Sequence, residues 1–143
     1  MRSIERRCRV ALVSTAPLDK PGSMRAYADV LLQAMARHST EVEISIVELD
    51  PLPAAGPWGR RLSTLALPFR AKRIRSIDPD VWHLLDASRA YLAPGLGKRP
   101  VIATVHDIIP WLQQEGRFAG VAGLGWAARH WWRGNARALR RIN

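Results

Sequence analysis

Three stretches of the sequence carry side chains able to bind a polar ligand or move a proton. In VIATVHDIIP, His106 and Asp107 interrupt an apolar, β-branched run where its backbone should leave a sheet, and a purely structural strand end rarely needs both. The histidine could donate to a ligand hydroxyl or act in proton transfer, and the aspartate could orient it or bind an acceptor. The plainer alternative is that His106 caps a neighbouring carbonyl and Asp107 caps the next turn. Asp86 closes the apolar run DVWHLLD, and Gly22 and Ser23 follow RVALVST and its loop. Gly22 would let backbone approach a ligand, and free N–H groups at the start of a helix capped by Ser23 could face a phosphate. Without a ligand the two are a loop glycine and a simple cap. His83, beside Trp82, reads as a hydrogen-bonded core histidine, whereas His38 and His130 read as surface residues. An adjacent His and Asp also occur in metal-dependent phosphohydrolases, but no further ligands are spaced for a metal here, and none is expected. Cys8 is the single cysteine, which excludes an intrachain disulfide and a cysteine metal cluster; its neighbours predict a buried strand thiol.

These residues need elements to hold them. RVALVST is a continuous apolar run and predicts a strand buried on both faces. Met24, Tyr27, Ala28, Leu31 and Met35 then recur at helical spacing, predicting a helix from Ser23 to about Arg37. In EVEISIVEL, Val42, Ile44 and Ile46 alternate with Glu41, Glu43 and Ser45, which predicts a second strand near a sheet edge. The prolines and glycines of DPLPAAGPWG forbid regular structure, and Pro68 must interrupt or begin the helix that follows. Asp78 and Pro79 stop that segment, DVWHLLD supplies a third strand, Ser88 to Leu92 a short helix, and the run from Val101 a fourth strand. Alternating strands and helices predict an α/β, Rossmann-like parallel sheet with helices on both faces. In such a sheet Gly22, Ser23, Asp86, His106 and Asp107 all fall at the carboxyl edge, where ligands bind.

A length of 143 residues fits one domain. With 48% hydrophobic and 24% charged residues and no apolar run of about 18, the chain reads as a soluble globular protein rather than a membrane-spanning one. RVALVST is too short and polar-edged for a secretory signal, so a cytoplasmic location is expected. The formal charge of +10 points to an anionic partner or to solvated helix faces. The region from Trp58 to Ile77, whose arginines alternate with Leu62, Leu65 and Phe69, is expected at the mouth of the cleft, attracted to the inner face of an anionic membrane. Toward the end, Val121, Leu124, Ala128, Trp131, Trp132, Leu139 and Ile142 share one helical face, opposite Arg129, Arg133, Arg137, Arg140 and Arg141. That stripe, with Trp126 near it, predicts packing; its cover is expected from outside the chain, and self-association would follow.

RVALVST with PGSMRAYADVLLQAM, then PDVWHLLD, then RPVIATVHDIIP cover most of residues 9 to 111, and in order and spacing they resemble the N-terminal domain of family 4 glycosyltransferases. The resemblance implies the acceptor-side, Rossmann-like half of a GT-B architecture over residues 1 to 143, truncated at its C-terminal end. The parent reaction is transfer of a sugar from a nucleotide-sugar donor to an acceptor hydroxyl, lipid-linked acceptors included, with no cofactor or obligatory metal. It places Gly22 near the donor phosphates, His106 against the donor sugar and Asp107 in the cleft. Pro21 stands where many members have a second glycine. The donor-binding half would come from a C-terminal domain or a partner chain, so the chain alone is expected to be inactive. The alternatives are a subunit of a split glycosyltransferase, a gene remnant, and a non-catalytic basic module for anionic membrane or nucleic acid; nucleic acid has the thinner support, since no recognised motif accompanies the charge.

Overall fold

The computed structural model describes residues 6–15, 22–38, 41–49, 66–118 and 125–142. Four strands, β1 (Cys8–Ser14), β2 (Val42–Glu48), β3 (Val81–Leu84) and β4 (Val101–Ala103), form one sheet in the order β2-β1-β3-β4, and every neighbouring pair is parallel. β1 is the central strand because its run is apolar on both faces: Ala11, Leu12, Val13 and Ser14 are all buried. Leu12 turns to α1 (Ser23–His38) and packs with Ala28 and Leu85. Ala11 and Val13 turn the other way, to Leu67 and Ala71 of α2 (residues 66–73) and to Leu92 and Leu96. Helical segments therefore cover both faces, and the predicted α/β Rossmann-like sheet is the observed one. β2 sits at an edge, as its alternation suggested; Ile44 packs toward α1 while Ile46 is 36% exposed for want of a strand beyond it.

Several local expectations are corrected. Cys8 is exposed, because it opens β1 before the covering layers begin. The helix expected over Ser88 to Leu92 is a longer 3-10 segment, Ala87–Leu96. Pro94 has no N–H for an α-helical ladder, and Gly95 lies so close to α2 that a Cβ there would stand 2.9 Å from that of Ala71. The fourth strand is only three residues long. Thr104 still donates its N–H to Leu84, but its carbonyl accepts from Ala87 (2.8 Å), which turns the chain out of the sheet before His106.

The chain then forms α3 (Ile109–Gln114) and α4 (Trp126–Leu139). All five arginines of the predicted polar face of α4 are exposed. Part of its apolar stripe is covered by the chain itself: Trp131 meets Tyr91 edge to face at 4.5 Å between ring centres, and Ile142 packs on the core, whereas Trp132 and Leu139 border an open cleft. Val121 and Leu124 lie outside the described residues. Trp126, expected to pack, is 70% exposed, since it starts the helix beyond the reach of the 87–96 segment. The first part of the expected basic, membrane-facing stretch, residues 58–65, lies outside the described residues; in the rest, residues 66–77, Leu67 is core and Phe69 is exposed. Among the described residues, no helix is long and apolar enough to cross a membrane.

Docking of α4 rests on Asn135, which is 1% exposed: its amide donates to the Ser88 carbonyl, and its Oδ1 accepts from the Tyr91 N–H at 3.2 Å. Asn135→Ala leaves both backbone groups without that partner and should destabilise the chain by about 1–3 kcal/mol. Exposed Arg133→Ala on the same helix should stay within about 0.5 kcal/mol. Urea unfolding of both variants makes the comparison; equal losses would show that Asn135 does not hold α4.

Candidate functional site

After β1 the chain moves to one side of the sheet, and after β3 it moves to the other. In open parallel sheets such a reversal leaves a crevice beyond the carboxyl ends of the strands. A cleft of about 450 Å³ lies at that edge, with Ser23, Asp86, His106 and Asp107 in its lining. These four come from the segments that follow β1, β3 and β4, so three connections deliver them to one place. Trp111 and, from α4, Trp132 and Leu139 add apolar wall. Gly22 does not line the cleft. A Cβ there would meet nothing within 4 Å. Its carbonyl accepts from Ala26 at 3.0 Å, so the helix begins at Ser23 as expected, while the cap falls on Gly22, one position before the expected one.

The His106 ring is fixed on two sides. Nε2 lies 2.7 Å from the Leu85 carbonyl, and the ring meets Tyr27 edge on at 4.8 Å. A carbonyl oxygen only accepts, so Nε2 carries the proton and, in the neutral ring, Nδ1 is an acceptor. Nδ1 has no hydrogen-bond partner among the described residues. Asp107 does not touch His106; its Oδ1 accepts the Ile109 N–H (2.7 Å) at the start of α3. The structural roles weighed for this pair, a held carbonyl and a capped turn, are thus both present. Among the described residues, Nδ1 of one and Oδ2 of the other have no hydrogen-bond partner. Asp86 folds back on its own turn, accepting from the Ser88 N–H at 2.8 Å and the Ser88 hydroxyl at 2.6 Å. It is a cap for the 87–96 segment whose carboxylate also borders the cleft.

Two residues that hold the site gave no functional signal in the sequence. The Thr104 hydroxyl lies 2.8 Å from His83 Nε2 and 2.9 Å from the Tyr27 hydroxyl. It joins α1, β3 and the loop that carries His106. His83 is 9% exposed, as a core histidine should be, and burial pushes its pKa down, so it is neutral. His38 and His130 are at the surface, as expected. Asn135 is the second residue; its place four after Trp131 and three after Trp132 puts it on the apolar stripe, a clue that the surrounding arginines mask.

Chemically, the cleft offers an imidazole acceptor, two carboxylates, a helix start and aromatic wall. Among the described residues, no three His, Cys, Asp or Glu side chains are grouped to hold a metal. Hydroxyls do meet a carboxylate at Ser88 and an imidazole at Thr104, but the first closes the Asp86 turn and the second ties His83 to Tyr27. The set suits recognition of hydroxyl-bearing ligands better than covalent catalysis.

Thr104→Val keeps the shape but strands the Tyr27 hydroxyl and His83 Nε2, and should destabilise by about 1–3 kcal/mol. Chemical denaturation at pH about 7.5 tests this; a loss below about 0.5 kcal/mol would show the hydroxyl to be dispensable. His83 also predicts a pH dependence. Its pKa is lower folded than unfolded, so below about 6.5 the unfolded chain binds the extra proton first. Its contribution to stability is complete above that pH and is lost as the pH falls toward the depressed folded value. Stability should therefore drop between about pH 7.5 and 5.5, with a shallower drop in His83→Gln; identical slopes would assign the effect elsewhere.

No family model, curated protein or solved structure matches the chain. The fold and the geometry of the cleft therefore carry the functional reading by themselves.

Proposed function

We propose that the chain supplies the acceptor-side wall of a sugar-transferring site of the GT-B kind, in which a sugar passes from a nucleotide donor to an acceptor hydroxyl. The observation that carries this reading is the meeting of Ser23, Asp86, His106 and Asp107 in one cleft at the strand reversal. His106 fits a positioning contact: with Nε2 committed to Leu85, Nδ1 can accept a hydrogen bond from a sugar hydroxyl. The second carboxylate oxygen of Asp107 can accept another. The positive end of α1, which opens at Ser23, favours the phosphates of a nucleotide donor. Trp111 and Trp132 supply flat apolar surface of the sort that packs against a sugar ring.

Such a site is completed by a second domain across the cleft, and holding donor and acceptor together supplies much of the rate of a bimolecular transfer. The 143 residues alone should therefore bind sugar ligands weakly and not turn them over. The reading makes His106 a hydrogen-bonding residue rather than a general base. In an assembled two-domain enzyme, His106→Ala should lower the rate roughly tenfold, about 0.5–1.5 kcal/mol. A loss of a hundredfold or more would identify proton transfer instead. In the chain alone, titration with a panel of nucleotide sugars and glycosides should perturb the NMR signals of Ser23, Asp86 and His106 together. Silence at all three with every ligand would sink the reading.

A further inference from the structure

A second cleft, of about 470 Å³, opens on the opposite edge of the sheet, where β4 begins. It lies between the turn at residues 97–100 and the last turn of α4. Four cations line it, Lys98, Arg99, Arg137 and Arg141, and no carboxylate side chain among the described residues does. Such a concentration of one charge sign around a concavity focuses potential for an anion. Burial of these groups is not the cause, since all four are exposed.

The ordinary uses of surface arginines do not account for this set. Arg99 is braced by Asp78, with Nε and Nη2 each 2.9 Å from a carboxylate oxygen, so the nearest acid is already engaged. Lys98, Arg137 and Arg141 have no hydrogen-bond or ion-pair partner among the described residues. Nor do the arginines cap α4. Its terminal carbonyls at Ala136, Ala138 and Leu139 accept from the backbone N–H groups of Arg140, Arg141 and Ile142. Three free cations thus surround a hollow whose wall also holds Tyr91, Ala138 and Ile142.

We propose that this cleft binds a phosphate-bearing small molecule, with Lys98, Arg137 and Arg141 on the phosphate and Tyr91 and Ile142 against its less polar part. Arginine pairs planar forks of N–H donors with phosphate oxygens, and two arginines one helical turn apart can grip one group together. The volume lies in the range of small-molecule sites rather than that of a flat electrostatic surface. This site is separate from the carboxyl-edge cleft and does not depend on the function proposed for it.

Inorganic pyrophosphate, titrated calorimetrically into the whole chain at low salt, should bind saturably at one site. Arg137→Gln with Arg141→Gln should weaken it about tenfold or more, whereas Arg133→Gln, exposed on the same helix but outside the cleft, should leave it unchanged. Circular dichroism melting checks that the double variant is folded; if it is not, Lys98→Gln, on a different element, should still weaken binding severalfold. Vesicles containing phosphatidic acid separate a lipid headgroup from a free phosphate. Binding to vesicles without binding to pyrophosphate would overturn the proposal, as would equal pyrophosphate affinity in the wild type and the charge-removed variants.

Discussion

Thr104 is the point on which the carboxyl edge depends. Its N–H donates to Leu84, its carbonyl accepts from Ala87, and its hydroxyl meets both His83 and Tyr27. One residue thus ties β3, the 87–96 segment and α1 to the end of β4. The carbonyl bond stops the strand, since a carbonyl committed to the neighbouring turn no longer serves a straight ladder. Because the strand stops there, His106 swings back to the Leu85 carbonyl instead of extending past the sheet. The position of the candidate histidine is a consequence of where the threonine ends the strand.

The two edges of the sheet have different electrostatic character. At the carboxyl edge, Asp86 and Asp107 face an imidazole and aromatic wall. At the amino edge, arginines outnumber the acids that receive them. Asp80 accepts from the Arg9 N–H and from Arg6, and Asp78, in a left-handed turn, receives Arg99. These bonds hold both carboxyls below the usual range, through the Arg9 backbone N–H for Asp80 and through Arg99 for Asp78. Even so, Lys98, Arg137 and Arg141 find no acid among the described residues. The high net charge is therefore not merely spread over helix faces; part of it gathers at one hollow.

What could be read from the sequence followed from periodicity and from chain order. The apolar runs around Leu12 and Trp82 gave the central strands, and the alternation from Glu41 to Ser45 gave the edge strand. Because parallel strands share a direction, the ends of three runs had to lie at one edge, which is why Ser23, Asp86, His106 and Asp107 could be grouped without coordinates. The rest depended on contacts between distant segments. Thr104 and Asn135 matter through partners 21 to 77 and 44 to 47 residues away, and no local pattern marks them. Cys8 and Trp126 were placed by their neighbours' character, although each begins its element and so lies beyond the layer that would cover it.

His106 is the residue in which fold and function meet, and its imidazole nitrogens report on both. A nitrogen-15 imidazole spectrum near neutral pH, assigned with His106→Ala, should show His106 as the Nε2–H tautomer, and its Nδ1 signal should shift when a nucleotide sugar or glycoside is added. An Nδ1–H tautomer, or a signal averaged between the two forms and indifferent to every sugar ligand, would contradict both the hold on Leu85 and the ligand contact built upon it.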